Sequence, residues 1–97
     1  MTYHLPPLVA DAICRYAKES GIQKVILFGS RARGTNAPRS DVDLAVSGGD
    51  FDAFYWAVKD RMPSLLLFDI VALDGGISAE LQQEIAKDGI TIYEKAG

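Results

Sequence analysis

The eight residues "SDVDLAVS", Ser40 to Ser47, constrain this chain more than any other stretch. In an extended chain side chains alternate, so Val42, Leu44 and Val46 fall on one side and Asp41, Asp43 and Ala45 on the other. A strand that buries its valines here must present two carboxylates on its opposite face. Two such groups repel when both are ionised, and a divalent cation between them turns the repulsion into binding. The alternative is a solvated aspartate turn at the mouth of a strand.

The preceding residues bear on that choice. "KVILFGS", Lys24 to Ser30, is a short apolar run ending in a turn signal and reads as a buried strand. At its end Gly29 lets a phosphate approach backbone N–H groups, and the Ser30 hydroxyl offers one more donor. Gly34 supplies a second tight turn, and Arg31, Arg33 and Arg39 lie in or beside the loop. The separation of Gly29 and Gly34 matches a P-loop, but Thr35 and Asn36 stand where that loop requires Lys and Ser or Thr. A P-loop ATPase is excluded on that ground.

A third carboxylate lies further on. "SLLLFDIVALD", Ser64 to Asp74, is the most apolar stretch and is predicted to be a central strand, with Asp69 in its middle. Burying an ionised carboxylate costs several kcal/mol unless it is paired or coordinated, and Leu67, Phe68, Ile70 and Val71 bring no charge. An arginine or an N–H cluster from elsewhere is one partner for it. A metal shared with Asp41 and Asp43 is the other, and it accounts for three aspartates on two strands of one small sheet.

The rest of the chain supplies helices. From about Pro7 to Ser20, Val9, Ala12, Ile13 and Tyr16 recur on one face and Asp11, Arg15 and Lys18 on the other, with Gly21 as the stop. Phe51 to Met62 carries Phe51, Phe54, Tyr55, Val58 and Met62 as its apolar stripe, leaves Trp56 on the polar side, and ends at Pro63. After Gly75 and Gly76, Ser78 is placed to cap a helix bearing Leu81 and Ile85, Gly89 closes it, and "ITIYE" forms a last strand. The expected fold is α/β (α+β), a small mixed β-sheet with flanking helices in one domain over residues 1–97.

Composition narrows the function. Ten Lys and Arg against thirteen Asp and Glu give a formal charge of −3, so no direct nucleic-acid binding is expected. There is no basic segment followed by an unbroken apolar one and no run of membrane-spanning length, and the single Cys14 matches a reducing compartment. The expectation is a cytoplasmic protein with no membrane association. His4 lacks a partner at metal-ligand spacing, and Cys14 has no basic cluster to activate it. Tyr3 and Tyr93 are packing residues before they are candidate nucleotide acceptors.

"GSRARG", five residues, then "SDVDLAV", followed by an aspartate inside a later apolar strand, resembles the nucleotidyltransferase fold of the DNA polymerase beta superfamily. Within it the chain is most similar to the minimal nucleotidyltransferases, the MntA-like antitoxins encoded beside HEPN-domain toxins. The resemblance implies two-metal transfer of AMP from ATP, or from another nucleoside triphosphate, to a hydroxyl. It implies Mg²⁺ held by Asp41 and Asp43, with Asp69 completing a second metal site or taking the proton of the attacking hydroxyl. Gly29, Ser30 and Arg33 would bind the triphosphate, Arg33 being favoured because the "ARG" ending of the loop recurs in similar proteins. A HEPN-type partner protein in a hetero-oligomer follows from the same resemblance. Two other readings stand beside it: a non-catalytic nucleotide-binding subunit that neutralises its partner by contact, and a small-molecule nucleotidyltransferase of the antibiotic-modifying type. The last suffers because no acceptor-binding domain is visible in the sequence.

Overall fold

The computed structural model describes residues 5–37 and 40–96; Tyr3, His4 and Arg39, weighed above, lie outside the described residues. Helix α1 (Pro7–Glu19) begins on a proline, whose fixed φ and missing N–H suit a first turn. It buries Val9, Ala12, Ile13 and Tyr16 and leaves Asp11, Arg15 and Lys18 in solvent. Strand β1 (Lys24–Phe28) follows, then a single helical turn, α2 (Ser30–Arg33), and strand β2 (Val42–Ser47). Helix α3 (Phe51–Arg61) is capped by Asp50, whose carboxylate accepts the Ala53 N–H at 3.0 Å. Strand β3 (Phe68–Ala72) leads through a short 3-10 turn to helix α4 (Ala79–Asp88) and strand β4 (Ile90–Glu94). Ser78 caps α4 as expected, its hydroxyl accepting the Leu81 N–H at 3.1 Å.

The strands form one mixed sheet in the order β3-β2-β1-β4, antiparallel except where β2 runs parallel to β3. The alternation read in residues 40–47 now has its cause. Val42, Leu44 and Val46 join Val25, Leu27 and Phe68 in the main core with α1 and α3. Ala45 faces the other way and packs with Phe28 and Ile85 under α4. Helices therefore cover both faces of the expected mixed sheet. No helix among the described residues is long and apolar enough to cross a membrane.

One expectation fails here. The apolar run 64–74 is not a central strand: its paired part is only Phe68–Ala72, at the edge of the sheet, and Leu65 and Leu67 are exposed. The two central places go to β1 and β2. A run of leucines reports hydrophobicity, whereas position in a sheet depends on which strands the connections bring alongside.

Candidate active site

The parallel pairing of β2 with β3 sets Asp43 beside Asp69 in register, and cross-strand partners share a face. That face is the one under α4, opposite the main core. Asp41, two residues before Asp43, shares its side of the chain at the start of β2. Asp43 is half-buried, while Asp41 and Asp69 are exposed. Asp69 is thus not buried as the apolar run predicts: on an edge strand its carboxylate reaches solvent, and its solvation demands no partner.

The crowding shows in the electrostatics of Asp43. Its carboxyl is pushed up to about 6, first by burial, then by Asp69, Asp41 and Glu84, with Arg33 acting in the opposite sense. The structure therefore brings Asp41 and Asp69 each within electrostatic reach of Asp43. Among the described residues no three acidic, histidine or cysteine side chains are gathered closely enough to hold an ion as they stand. The donor set is nonetheless all carboxylate oxygen, the chemistry of a hard divalent cation, and the like-charge repulsion on Asp43 is what such an ion relieves.

The Gly-Ser turn lies directly against this cluster. Gly29 has φ 78° and ψ −156°, a conformation that costs side-chain-bearing residues dearly, and a Cβ added there would overlap the Asp43 carboxylate. The loop expected after it is partly helical. Ala32 and Arg33 both donate their N–H groups to the Gly29 carbonyl at 3.1 Å, and Gly34 closes the turn in the left-handed region. Ser30 opens that turn half-buried, and its hydroxyl has no hydrogen-bond partner among the described residues.

The two described loop arginines divide their roles. Arg31 is only 4 % exposed and donates from Nε to the Ser40 carbonyl at 3.0 Å, tying α2 to the chain entering β2. Arg33 is exposed, pairs with Asp88 at 3.2 Å, and is the arginine whose charge reaches Asp43. Glu84 and Asp88, which border the site from α4, were missed in the sequence. Their i, i+4 spacing, shared with the inward-facing pair Leu81 and Ile85, was the available signal.

Other candidates stand apart. Cys14 donates weakly to the Ile92 carbonyl at 3.6 Å, and burial, then Asp11, raises its pKa, which opposes nucleophilic use. Tyr93 is paired opposite Val25 on the far edge strand and packs against the main core.

A Gly-Ser turn held against the Asp43 carboxylate, with Asp69 in register on the neighbouring strand, is the layout of a nucleotidyltransferase. The chain belongs to the polymerase beta nucleotidyltransferase family, whose pattern it matches over residues 11–96. Among solved structures it is similar to a toxin-antitoxin crystallised with AMP-PNP, at 25% identity and a TM-score of 0.71 over 89% of this chain and 73% of that one. The MntA-HepT toxin-antitoxin shares its fold at 22% identity and a TM-score of 0.64, over 93% of this chain and 74% of the other. No curated protein matches the chain significantly.

Proposed function

We propose that this protein transfers AMP from ATP, with Mg²⁺, to a hydroxyl of a partner protein, as the cytoplasmic antitoxin of a HEPN-type toxin. The observation that carries the reading is the contact between the Gly29 turn and the carboxylate of Asp43, with Asp69 in register beside it. The likeness to a toxin-antitoxin crystallised with AMP-PNP supports both a nucleotide and a toxin partner.

In this reading the triphosphate lies on the turn that Gly29 packs against Asp43, and the Ser30 hydroxyl donates to a phosphate oxygen. Arg33 neutralises charge on the departing pyrophosphate. Asp41 and Asp43, with Asp69, would hold the metal, which supplies Lewis-acid stabilisation of the phosphoryl oxygens when bound. Asp69, exposed on the far side, accepts the proton of the attacking hydroxyl.

The test is to incubate the protein with ATP, Mg²⁺ and the purified product of the adjacent gene, then examine both chains by mass spectrometry. One added adenylyl group on a hydroxyl residue of the partner is the expected result. A stable complex with no modification would favour neutralisation by contact alone.

A further inference from the structure

A second feature of the carboxylate face is apolar. The β2–β3 ladder extends one residue before β3, where the Val42 N–H donates to the Leu67 carbonyl at 2.9 Å. Phe68 turns into the main core, so Leu67 before it falls on the Asp69 face, while Leu66 packs against the core and Leu65 stands fully exposed ahead of them. Leu65 is 102% exposed and Leu67 69%, and Ser64 to Leu67 line a hollow. Neither exposed leucine contributes to the core, and Leu67 lies two residues from Asp69 on the same face.

The direction of the reaction says what these leucines face. Across the sheet, the Gly29 turn at the end of β1 comes first, Asp43 on β2 next, and Asp69 on β3 last. In phosphoryl transfer the attacking and leaving oxygens lie roughly in line. With the leaving group held on the turn by Ser30 and Arg33, the attacking hydroxyl arrives from the β3 side, over Leu65 and Leu67.

We infer that Leu65 and Leu67 dock the acceptor, a polypeptide segment that lays an apolar side chain on them beside its reacting hydroxyl. The inference rests on the nucleotidyl-transfer reading above. Charge selects the segment further: Asp41 and Asp69 are exposed acids that, with Glu84, act on Asp43, so neighbouring residues of the acceptor are neutral or basic. Strand addition is a poorer mode, because Lys59 Nζ already occupies the Phe68 carbonyl at the outer edge of β3. In the step itself the acceptor oxygen forms a bond to the α-phosphorus and the α–β phosphoanhydride bond breaks. Pyrophosphate departs with the electron pair, and the hydroxyl proton passes to Asp69.

A panel of synthetic peptides tests this, each with a central Tyr, Ser or Thr flanked by Leu, Lys or Asp. Each is incubated with the protein, Mg²⁺ and ATP labelled at the α-phosphate. Label should concentrate on Leu-flanked peptides and avoid Asp-flanked ones. The Leu65→Ser/Leu67→Ser variant should lose roughly tenfold in kcat/KM, through KM, as expected for removed apolar anchors. Its affinity for ATP with Mg²⁺, by calorimetry, should equal the parent's, and Leu67→Met alone should retain activity. Leu65→Ser alone, at a fully exposed position, keeps the test free of folding effects. Labelling indifferent to the flanks, parental kinetics in the variants, or ATP bound with no peptide labelled would each overturn the docking role. Failure of the parent to bind ATP with Mg²⁺ would instead overturn the transfer reading, and this inference with it.

Discussion

Replacing Asp43 by Asn should make the nucleotide-free protein more stable and, on the proposed reading, abolish Mg²⁺-dependent nucleotide binding. The carboxyl of Asp43 titrates at about 6 in the fold against an ordinary 3.8, because burial and then Asp69, Asp41 and Glu84 oppose its charge. A raised acid pKa means that ionisation works against folding. The penalty is absent below pH 3.8, grows as the pH rises toward 6, and is constant above that. At about 1.4 kcal/mol per pH unit the displacement corresponds to roughly 3 kcal/mol, and solvent screening at a half-exposed side chain reduces it to about 1 kcal/mol. In a chain this size that raises the unfolding midpoint by about 4–8 °C. Thermal unfolding of parent and Asp43→Asn should therefore differ by that amount at pH 8 and converge near pH 4. Added ATP with Mg²⁺ should raise the midpoint of the parent and leave the variant unmoved. A variant less stable at pH 8, or equally stabilised at both pH values, would refute the like-charge account.

Three further substitutions probe the surroundings. Ser30→Ala should slow transfer by roughly 1 to 3 kcal/mol in the barrier with little change in folding stability, because it removes one donor to a charged group; single-turnover rates with ATP check this, and a parental rate would make Ser30 a turn residue. Gly29→Ala meets both a positive φ and the Asp43 carboxylate, so it should lower stability by about 1–3 kcal/mol in chemical denaturation and abolish nucleotide binding. Trp56 is 59% exposed on the outer side of α3 and makes an edge-to-face contact with Tyr55 at 5.2 Å. Trp56→Ala should weaken a toxin complex by about 1 kcal/mol or more in a titration, and unchanged affinity would place the interface elsewhere.

Local pattern made much of this legible in advance. The helical spacing in α1, the Ser78 cap and the two-sided alternation of β2 each follow from side chains that report their own element's burial, and each stands in the fold. The position of β3 did not follow. Periodicity tells which face of a segment is buried, and not which strands flank it, so an edge segment with exposed leucines was read as the middle of the sheet. Asp69 inherited that error: its place beside Asp43 was right, but the reason given was wrong. Glu84 and Asp88 reach the site from more than 40 residues beyond Asp43 in sequence, where only the packing of α4 on the sheet sets proximity. The one-turn helix α2 was hidden because its stabilising acceptor is a glycine carbonyl in a backbone conformation no residue pattern spells out.

The sheet order gives the site an uneven rigidity. Asp43 stands on an interior strand with hydrogen-bonded neighbours on both sides, whereas Asp69 stands on a strand with one. Amide hydrogens of β2 should exchange with solvent only through global unfolding, and those of β3 through smaller local openings. On the proposed reading, the nucleotide end of the site thus belongs to the most cooperative part of the molecule, while the end assigned to the acceptor has an opening equilibrium of its own. An acceptor that settles against β3 closes that equilibrium as it binds. Slowed exchange confined to β3 on formation of a toxin complex would be the signature of a protein whose last catalytic carboxylate is set in place by the molecule it modifies.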